Sequence, residues 1–233
     1  MTGPAEPARS AIVPALRPSE YTAALIQALQ AERDRVRGNR VLEIGSGSGV
    51  VLAALGTMGA ATLCGVDIEP AAVAAGRRLL DELGLGATAE LSRGDMWLPV
   101  AGRRFDLIVA NLPHFPMEPV PVAGRLPTWS SGGADGRWLL DPFLEGLSVH
   151  LAPGGRAILS HNAFVGLDRS RAIAQSHGLS FRIVLTVLVY IAEEKLARMT
   201  PAVLRAEEGQ SLHRYGAYTF GEMHVVEIGA AEG

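Results

Sequence analysis

The chain has 233 residues, of which 48% are hydrophobic, and a formal net charge of −3. This length and composition fit one α/β domain with a sizeable core, and the balanced charge argues against a surface built to bind nucleic acid. The single cysteine, Cys64, excludes an internal disulfide, and no metal site is expected. No stretch has the length of a membrane span or the pattern of a signal peptide, so a cytoplasmic protein without a membrane partner is expected.

The N-terminal region predicts an arm followed by a helix. Residues 1–18 contain four prolines and are expected to be extended, in front of a single domain over residues 19–233. Ser19 is a suitable N-cap for the first helix, and apolar residues at helical spacing support it. This helix is expected to stop near Gly38.

Residues 41–51, VLEIGSGSGVV, predict a buried strand, a tight turn and the start of a helix. Three alternating glycines, Gly45, Gly47 and Gly49, permit the backbone angles of the turn and let a ligand approach the main chain closely. The unpaired N–H groups of the following helix would face that ligand. The spacing differs from the G-x-G-x-x-G of dinucleotide-binding proteins, because the third glycine comes one residue too early.

A second buried strand is predicted within residues 62–70, TLCGVDIEP. Its tip carries Asp67 and Ile68, and Pro70 is placed to open a helix that closes at Gly84. A carboxylate at this position can accept both ribose hydroxyls of a nucleoside, and NAD enzymes use the same device. Asp67 therefore indicates a nucleoside ligand without specifying which one.

A third strand is predicted at residues 87–92 and is followed by Asp95, Met96 and Trp97. Asp95 can accept a hydrogen bond from the exocyclic amine of adenine. Met96 and Trp97 could flank the ring.

Residues 105–116, FDLIVANLPHFP, predict a fourth buried strand that ends at Asn111. In open α/β sheets ligands bind beyond the carboxyl ends of the strands. Asn111 is therefore expected beside the ligand, across from Gly45.

Two of these motifs resemble those of one enzyme class. The pattern Glu43-x-Gly45-x-Gly47-x-Gly49 resembles motif I of the class I S-adenosylmethionine (SAM) methyltransferases, in which the glycine loop passes beneath the amino-acid end of SAM. The resemblance implies SAM as cofactor and S-adenosylhomocysteine as product. The residues expected to bind SAM are Glu43, Gly45, Ser46, Gly47, Gly49, Asp67, Ile68, Asp95, Met96 and Asn111.

The segment Asn111-Leu112-Pro113-His114 is similar to motif IV, Asn-Pro-Pro-Tyr, of the nitrogen-methylating class I enzymes. These enzymes include glutamine methyltransferases acting on release factors, and adenine and guanine methyltransferases of nucleic acids. Residues 17–29, RPSEYTAALIQAL, and residues 132–159 also resemble the release-factor group. The combination is far more specific than any one motif.

The class implies a Rossmann-like α/β fold with a mostly parallel seven-stranded sheet, order 3-2-1-4-5-7-6, whose last strand is antiparallel and whose helices cover both faces. The sixth and seventh strands are expected at residues 181–194 and 224–230, with an insertion at residues 193–222. Ser160, His161 and Asn162 end the predicted fifth strand near the active face. They could contact substrate, but capping of the next helix is the favoured expectation.

Motif IV suits the methylation of an amide or aryl amine, whose delocalised lone pair makes the nitrogen a poor nucleophile. Asn111 Oδ1 and the backbone carbonyl of Leu112 can accept hydrogen bonds from the two N–H groups and so direct the nitrogen lone pair toward the methyl group. Pro113 stiffens the turn. His114 replaces the usual aromatic residue. It could stack on the acceptor, act as a base or be structural.

The sequence leaves the acceptor open. Release-factor enzymes carry a helical docking domain before the catalytic one, whereas about 18 residues precede the first helix here, which favours a small molecule, then a protein side chain, over nucleic acid. A SAM-binding scaffold without catalysis is the non-enzyme alternative. The insertion is either a lid or an element of a homodimer. Candidate substrate contacts are Phe115, Trp129, Tyr215 and Tyr218.

Overall fold

A computed structural model describes residues 17–120 and 130–230, so most of the predicted arm and Trp129 lie outside the described residues. The strands are β1 (Arg40–Ile44), β2 (Thr62–Asp67), β3 (Ala89–Arg93), β4 (Phe105–Ala110), β5 (Leu151–Asn162), β6 (Leu179–Ile191), β7 (Leu212–Tyr215) and β8 (Tyr218–Ala230). The helices are α1 (Glu20–Ala31), α2 (Val50–Thr57), α3 (Pro70–Glu82), α4 (Leu140–His150), α5 (Leu167–Ser176), α6 (Glu193–Leu196) and α7 (Pro201–Glu207). No helix in these two ranges has the length and apolar composition needed to cross a membrane.

The strands form one sheet in the order β3-β2-β1-β4-β5-β8-β6, and β7 pairs with β8. Strands β1 to β5 are parallel, and β8 is antiparallel to both β5 and β6. This is the predicted order of seven strands. The eighth strand, β7, comes from the insertion, where it forms a hairpin with β8. Residues 218–222 of the predicted insertion therefore belong to the sheet.

Helices cover both faces of the sheet, as predicted. On one face α1, α2 and α3 pack on a core that includes Leu25, Leu52 and Leu80. On the other face α4 and α5 pack on a core that includes Phe143 and Leu147. Cys64 of β2 is 2% exposed and belongs to the second core, which confirms the buried cysteine expected from its apolar neighbours.

Element ends differ from prediction in two places. Helix α1 begins after the Ser19 N-cap as expected but ends at Ala31 rather than near Gly38. Its C-cap, Glu32, leaves helical geometry and pairs through its carboxylate with the buried Arg156, 2.5 Å away. A 3-10 turn over Arg33–Arg35 follows Glu32, and the chain reverses at Gly38, whose φ is 77°. The third strand begins at Ala89, after a single 3-10 turn over Gly86–Thr88.

Candidate active site

A cavity of about 440 Å³ opens at the carboxyl ends of β1, β2 and β4. The loops after these strands, the start of α1 and parts of β6 and α6 form its walls. Most of the predicted site residues line it: Glu43, Gly45, Ser46, Gly47, Asp67, Ile68, Asp95, Met96, Asn111, Leu112, Pro113, His114 and Phe115. Separate stretches of sequence therefore converge on one site.

The glycine turn and the loop after β4 touch each other. Ile44 and Ala110 are register partners of the parallel strands β1 and β4, so Gly45 and Asn111 are the next residues of neighbouring strands. Gly45 has a φ of 72°, and a Cβ added to it would lie 3.1 Å from Leu112 Cδ2. A side chain at position 45 would strain the backbone and press on the neighbouring loop.

Gly49 has a packing role instead of lining the cavity. It is the N-cap of α2 with a φ of 78°, and an added Cβ would lie 2.9 Å from the Cα of Gly76 in α3. The close approach of two helices thus accounts for this glycine. Its predicted contact with the cofactor has no support in the geometry.

Glu43 is a buried carboxyl group facing the cavity, with 2% of its surface exposed. Burial raises its pKa well above the ordinary value, and the negative charge of Asp67 adds to the effect. Among the described residues its Oε2 has no hydrogen-bond partner. A buried polar oxygen without a partner is costly, which favours a ligand N–H or O–H at this position.

Asp67 braces the glycine turn from the tip of β2. Its Oδ2 accepts the Gly47 N–H at 2.8 Å, and its Oδ1 accepts the Glu69 N–H at 2.9 Å. Burial raises the pKa of this carboxyl group. Each oxygen keeps a second lone pair, so the carboxylate can still accept two hydroxyls of a ligand.

The Asn111 side chain is held at both ends. Ser160 Oγ donates to Asn111 Oδ1 at 2.6 Å, and Asn111 Nδ2 donates to Thr22 Oγ1 at 3.3 Å. With Oδ1 directed at Ser160 and Nδ2 at Thr22, Oδ1 keeps one further lone pair. The predicted anchor of the acceptor is therefore pre-positioned by residues from α1 and β5.

The expectation that Ser160 and its neighbours cap the next helix is wrong. Strand β5 continues to Asn162, the N-cap of α5 is Gly166, and no side chain caps it. Pairing with β8 keeps these residues extended and buried inside the protein. There, Asn162 Oδ1 accepts a hydrogen bond from the Tyr21 hydroxyl at 2.7 Å.

His114 is a buried structural residue whose two ring nitrogens are both engaged. Its Nε2 accepts the Asn162 N–H at 3.0 Å, so Nδ1 carries the proton and donates to the Leu112 carbonyl at 2.5 Å. The pKa of His114 is lowered from 6.5 to about 4, mainly by burial and in smaller part by the positive charges of Lys195 and Arg137. A general-base role is wrong for this geometry. The ring instead fixes the loop that carries Asn111 and Leu112.

The substrate wall differs from the one expected. Phe115 lines the cavity, but Tyr215 and Tyr218 lie on the β7–β8 hairpin, outside it, with 62% and 61% of their surface exposed. Tyr190 and Lys195 line the wall in their place. Trp97, a predicted neighbour of adenine, is also outside the cavity, stacked 4.4 Å from the His150 ring of α4.

The sequence predicts no role in the site for Thr22 and favours a helix cap over a site role for Ser160, yet both residues contact Asn111. For Thr22 the sequence holds a signal, because it is a polar residue on the face of α1 that also buries Leu25 and Leu29. For Ser160 the signal is weaker, because a serine after a strand is also a common helix cap.

Comparison with known proteins agrees with this geometry. A family model described as a methyltransferase domain matches residues 41–124. The chain is 30% identical over 164 residues to a putative protein N5-glutamine methyltransferase of Methanocaldococcus jannaschii, covering 69% of this chain and 80% of that one. The chain belongs to the class I SAM-dependent methyltransferases.

Other members of this methyltransferase class are longer. The release factor glutamine methyltransferase of Moorella thermoacetica is 29% identical over 164 residues, which cover 68% of this chain and 56% of that enzyme. This chain thus spans little more than half the length of that relative. A ribosomal protein uL3 glutamine methyltransferase of Bradyrhizobium diazoefficiens is 34% identical over 126 residues, 51% of this chain and 39% of that one.

Solved structures of methyltransferases share the fold. One chain of the E. cuniculi Mtq2-Trm112 complex has a TM-score of 0.59 at 19% identity, and the match covers 92% of this chain and 98% of that one. A Thermus thermophilus 16S rRNA methyltransferase in complex with SAM and guanosine has a TM-score of 0.56 at 20% identity, covering 94% of this chain and 45% of its own.

Proposed function

We propose that this protein transfers a methyl group from SAM to the side-chain amide nitrogen of a glutamine in a protein. The observation that carries the proposal is the Asn111 amide, fixed by Ser160 and Thr22 at the tip of β4 beside Gly45. The M. jannaschii, Moorella and Bradyrhizobium relatives are named as glutamine methyltransferases, and this supports glutamine as the methyl acceptor. They favour a protein side chain over the small molecule first preferred from the sequence.

The residues of the cavity fit SAM. The unpaired Oε2 of Glu43 suits the ammonium of its amino-acid part, above the turn formed by Gly45 and Gly47. Asp67 suits the ribose hydroxyls, and Asp95 with Met96 suits the adenine. When bound, SAM would supply an electrophilic methyl group.

The chain itself positions the acceptor. Asn111 Oδ1 accepts a hydrogen bond from one amide N–H, and the Leu112 carbonyl accepts one from the other. Each oxygen has a lone pair free for this, because its bond to Ser160 or His114 uses only one. The nitrogen lone pair is then directed at the methyl carbon, and positioning of this kind can account for several kcal/mol of barrier reduction, up to roughly 7–11 in intramolecular models. No protein base is needed, because a methylated, protonated amide is acidic enough to lose its proton to water.

Methyl transfer from labelled SAM tests the proposal. The purified chain is incubated with a peptide chain release factor, ribosomal protein uL3, free glutamine and total RNA in separate reactions, with Asn111→Ala as the inactive control. The expected result is label in a protein and one added methyl mass on a glutamine side chain. Label in RNA would establish the nucleic-acid alternative, and SAM binding without turnover on any of these acceptors would establish the scaffold. A cytoplasmic location remains a prediction from the sequence.

A further inference from the structure

Lys195 is the single lysine of the chain and lies on α6, at the wall of the cavity. Its Nζ lies 3.3 Å from the centre of the Phe115 ring. Phe115 follows the Asn111–His114 loop directly, so the ammonium sits next to the residues proposed to hold the acceptor. Burial lowers the pKa of Lys195 to about 8, partly opposed by the negative charge of Glu20.

The ammonium of Lys195 forms no ion pair within residues 17–120 and 130–230, where no carboxylate oxygen lies within 4.0 Å of its Nζ. Glu20 also lines the cavity, but it is exposed, so water screens its charge. The face of an aromatic ring compensates only part of the hydration that a buried ammonium loses. The site therefore has capacity for an anion.

The position of Lys195 is fixed by the contacts of its segment. The Thr200 N–H donates to the Pro116 carbonyl at 2.7 Å, and Thr200 Oγ1 donates to the Ala134 carbonyl at 2.6 Å. Met199, which lies between Lys195 and Thr200 in the sequence, is 2% exposed. These contacts tie the insertion to the loop after β4 and make the lysine a built part of the wall.

Sheet topology places Lys195 on the acceptor side. The residues that suit the nucleoside follow β2 and β3, whereas Phe115 follows β4 and Lys195 follows β6. In the sheet, β2 and β3 lie on one side of β1, and β4 and β6 lie on the other. Lys195 accordingly lies on the side away from the nucleoside, next to the loop proposed to hold the acceptor.

We propose that Lys195 is a specificity-determining residue that binds a carboxylate carried by the methyl acceptor near its amide nitrogen. This inference rests on the proposed amide methylation and narrows its substrate. The carboxylate has two sources that share this chemistry: the α-carboxylate of a free amino acid, or an aspartate or glutamate side chain beside the acceptor glutamine in a polypeptide.

The single lysine allows a direct test. Reductive methylation with ¹³C-formaldehyde gives Lys195 one side-chain NMR signal while its positive charge is kept. The protein is loaded with S-adenosylhomocysteine, so that no turnover occurs, and is then titrated with two matched pairs of ligands. The first pair is free glutamine and glutaminamide. The second pair is a terminally blocked peptide in which aspartate follows glutamine, and the same peptide with asparagine in place of the aspartate.

The carboxylate member of at least one pair is expected to shift the Lys195 signal and to bind at least tenfold more tightly than its neutral partner. Which pair responds identifies the source of the carboxylate. Lys195→Met should abolish the preference, Lys195→Arg should retain it, and Arg198→Gln, which removes an exposed cation of the same segment, should leave it unchanged. Unchanged affinity for S-adenosylhomocysteine shows that each variant is folded.

Equal binding of the charged and neutral members in both pairs, or a preference that persists in Lys195→Met, overturns the proposal. Its failure is separable from failure of the proposed function. Methyl transfer to glutamine with no preference for acidic probes rejects only the role of Lys195. A carboxylate bound at Lys195 without methyl transfer to any glutamine rejects only the proposed acceptor.

Discussion

Ser160 Oγ donates a hydrogen bond to Asn111 Oδ1 at 2.6 Å, joining two residues that lie 49 positions apart in the sequence. The bond connects the end of β5 to the end of β4 and sets the direction in which the Asn111 oxygen points. The proposed mechanism depends on that direction, because the same oxygen must accept an N–H of the acceptor.

Ser160→Ala should lower kcat about two- to tenfold, since one internal hydrogen bond contributes about 0.5–1.5 kcal/mol. SAM affinity should not change, because the hydroxyl contacts Asn111 and not the residues that suit the nucleoside. Methylation kinetics and isothermal titration measure the two effects. Ser180→Ala, which removes a hydroxyl bonded to the Gly229 carbonyl on β8, is the matched control. A wild-type kcat in Ser160→Ala would show that this bond does not position Asn111.

Asn111→Ala should abolish turnover while SAM still binds with near wild-type affinity. The substitution removes one of the two acceptors that orient the amide nitrogen, and little of the surface that suits the nucleoside. Single-turnover methylation and SAM titration give the two values. Asn39→Ala serves as the control, because the Asn39 side chain donates an exposed hydrogen bond to the Arg35 carbonyl, away from the cavity. Substantial activity in Asn111→Ala would rule out the two-acceptor mechanism.

Asp67→Ala should weaken SAM binding at least tenfold, which corresponds to about 1.4 kcal/mol. The carboxylate would be lost both as an acceptor for ribose and as the brace on the Gly47 N–H. Isothermal titration measures the change, with Glu90→Ala on the exposed part of β3 as a charge-matched control. Equal affinities for the two variants would remove Asp67 from the binding site.

His114 should make stability fall as the medium is acidified. Its pKa is lowered from 6.5 to about 4 in the folded protein, so between these values the unfolded chain binds more protons. The stabilisation is complete above pH 6.5 and is lost as the pH falls through 4, with about 2 kcal/mol lost between pH 7 and pH 5.

Urea unfolding of wild type and His114→Gln at both pH values measures this contribution. The drop in the free energy of unfolding should be smaller in the variant by about that amount. The pKa of buried His161 is also lowered, first by burial and then by the charge of His114, so the difference between the two proteins reports on His114 together with its effect on His161. Identical pH dependence in the two proteins would contradict a buried, neutral His114.

The local sequence determined the parallel strands and most of the cavity lining, and the resemblance to the methyltransferase class supplied the sheet order. Apolar runs ended by glycine, aspartate or asparagine identify parallel strands and their carboxyl tips, because buried strands need apolar residues and tight turns need special backbone angles. Glu43, Asp67 and Asn111 could be placed in this way, since each follows or ends such a run.

Only the tertiary structure decided what these residues contact. His114 is buried with both ring nitrogens engaged because Asn162 of β5, 48 positions away, donates to its Nε2 while its own loop supplies the Leu112 carbonyl. Gly49 serves helix packing because Gly76 of α3 approaches it. Lys195 reaches the cavity because the insertion is bonded back to the loop after β4. Pattern and propensity act over a few residues, whereas burial, hydrogen-bond partners and pKa depend on segments that meet only in the folded chain.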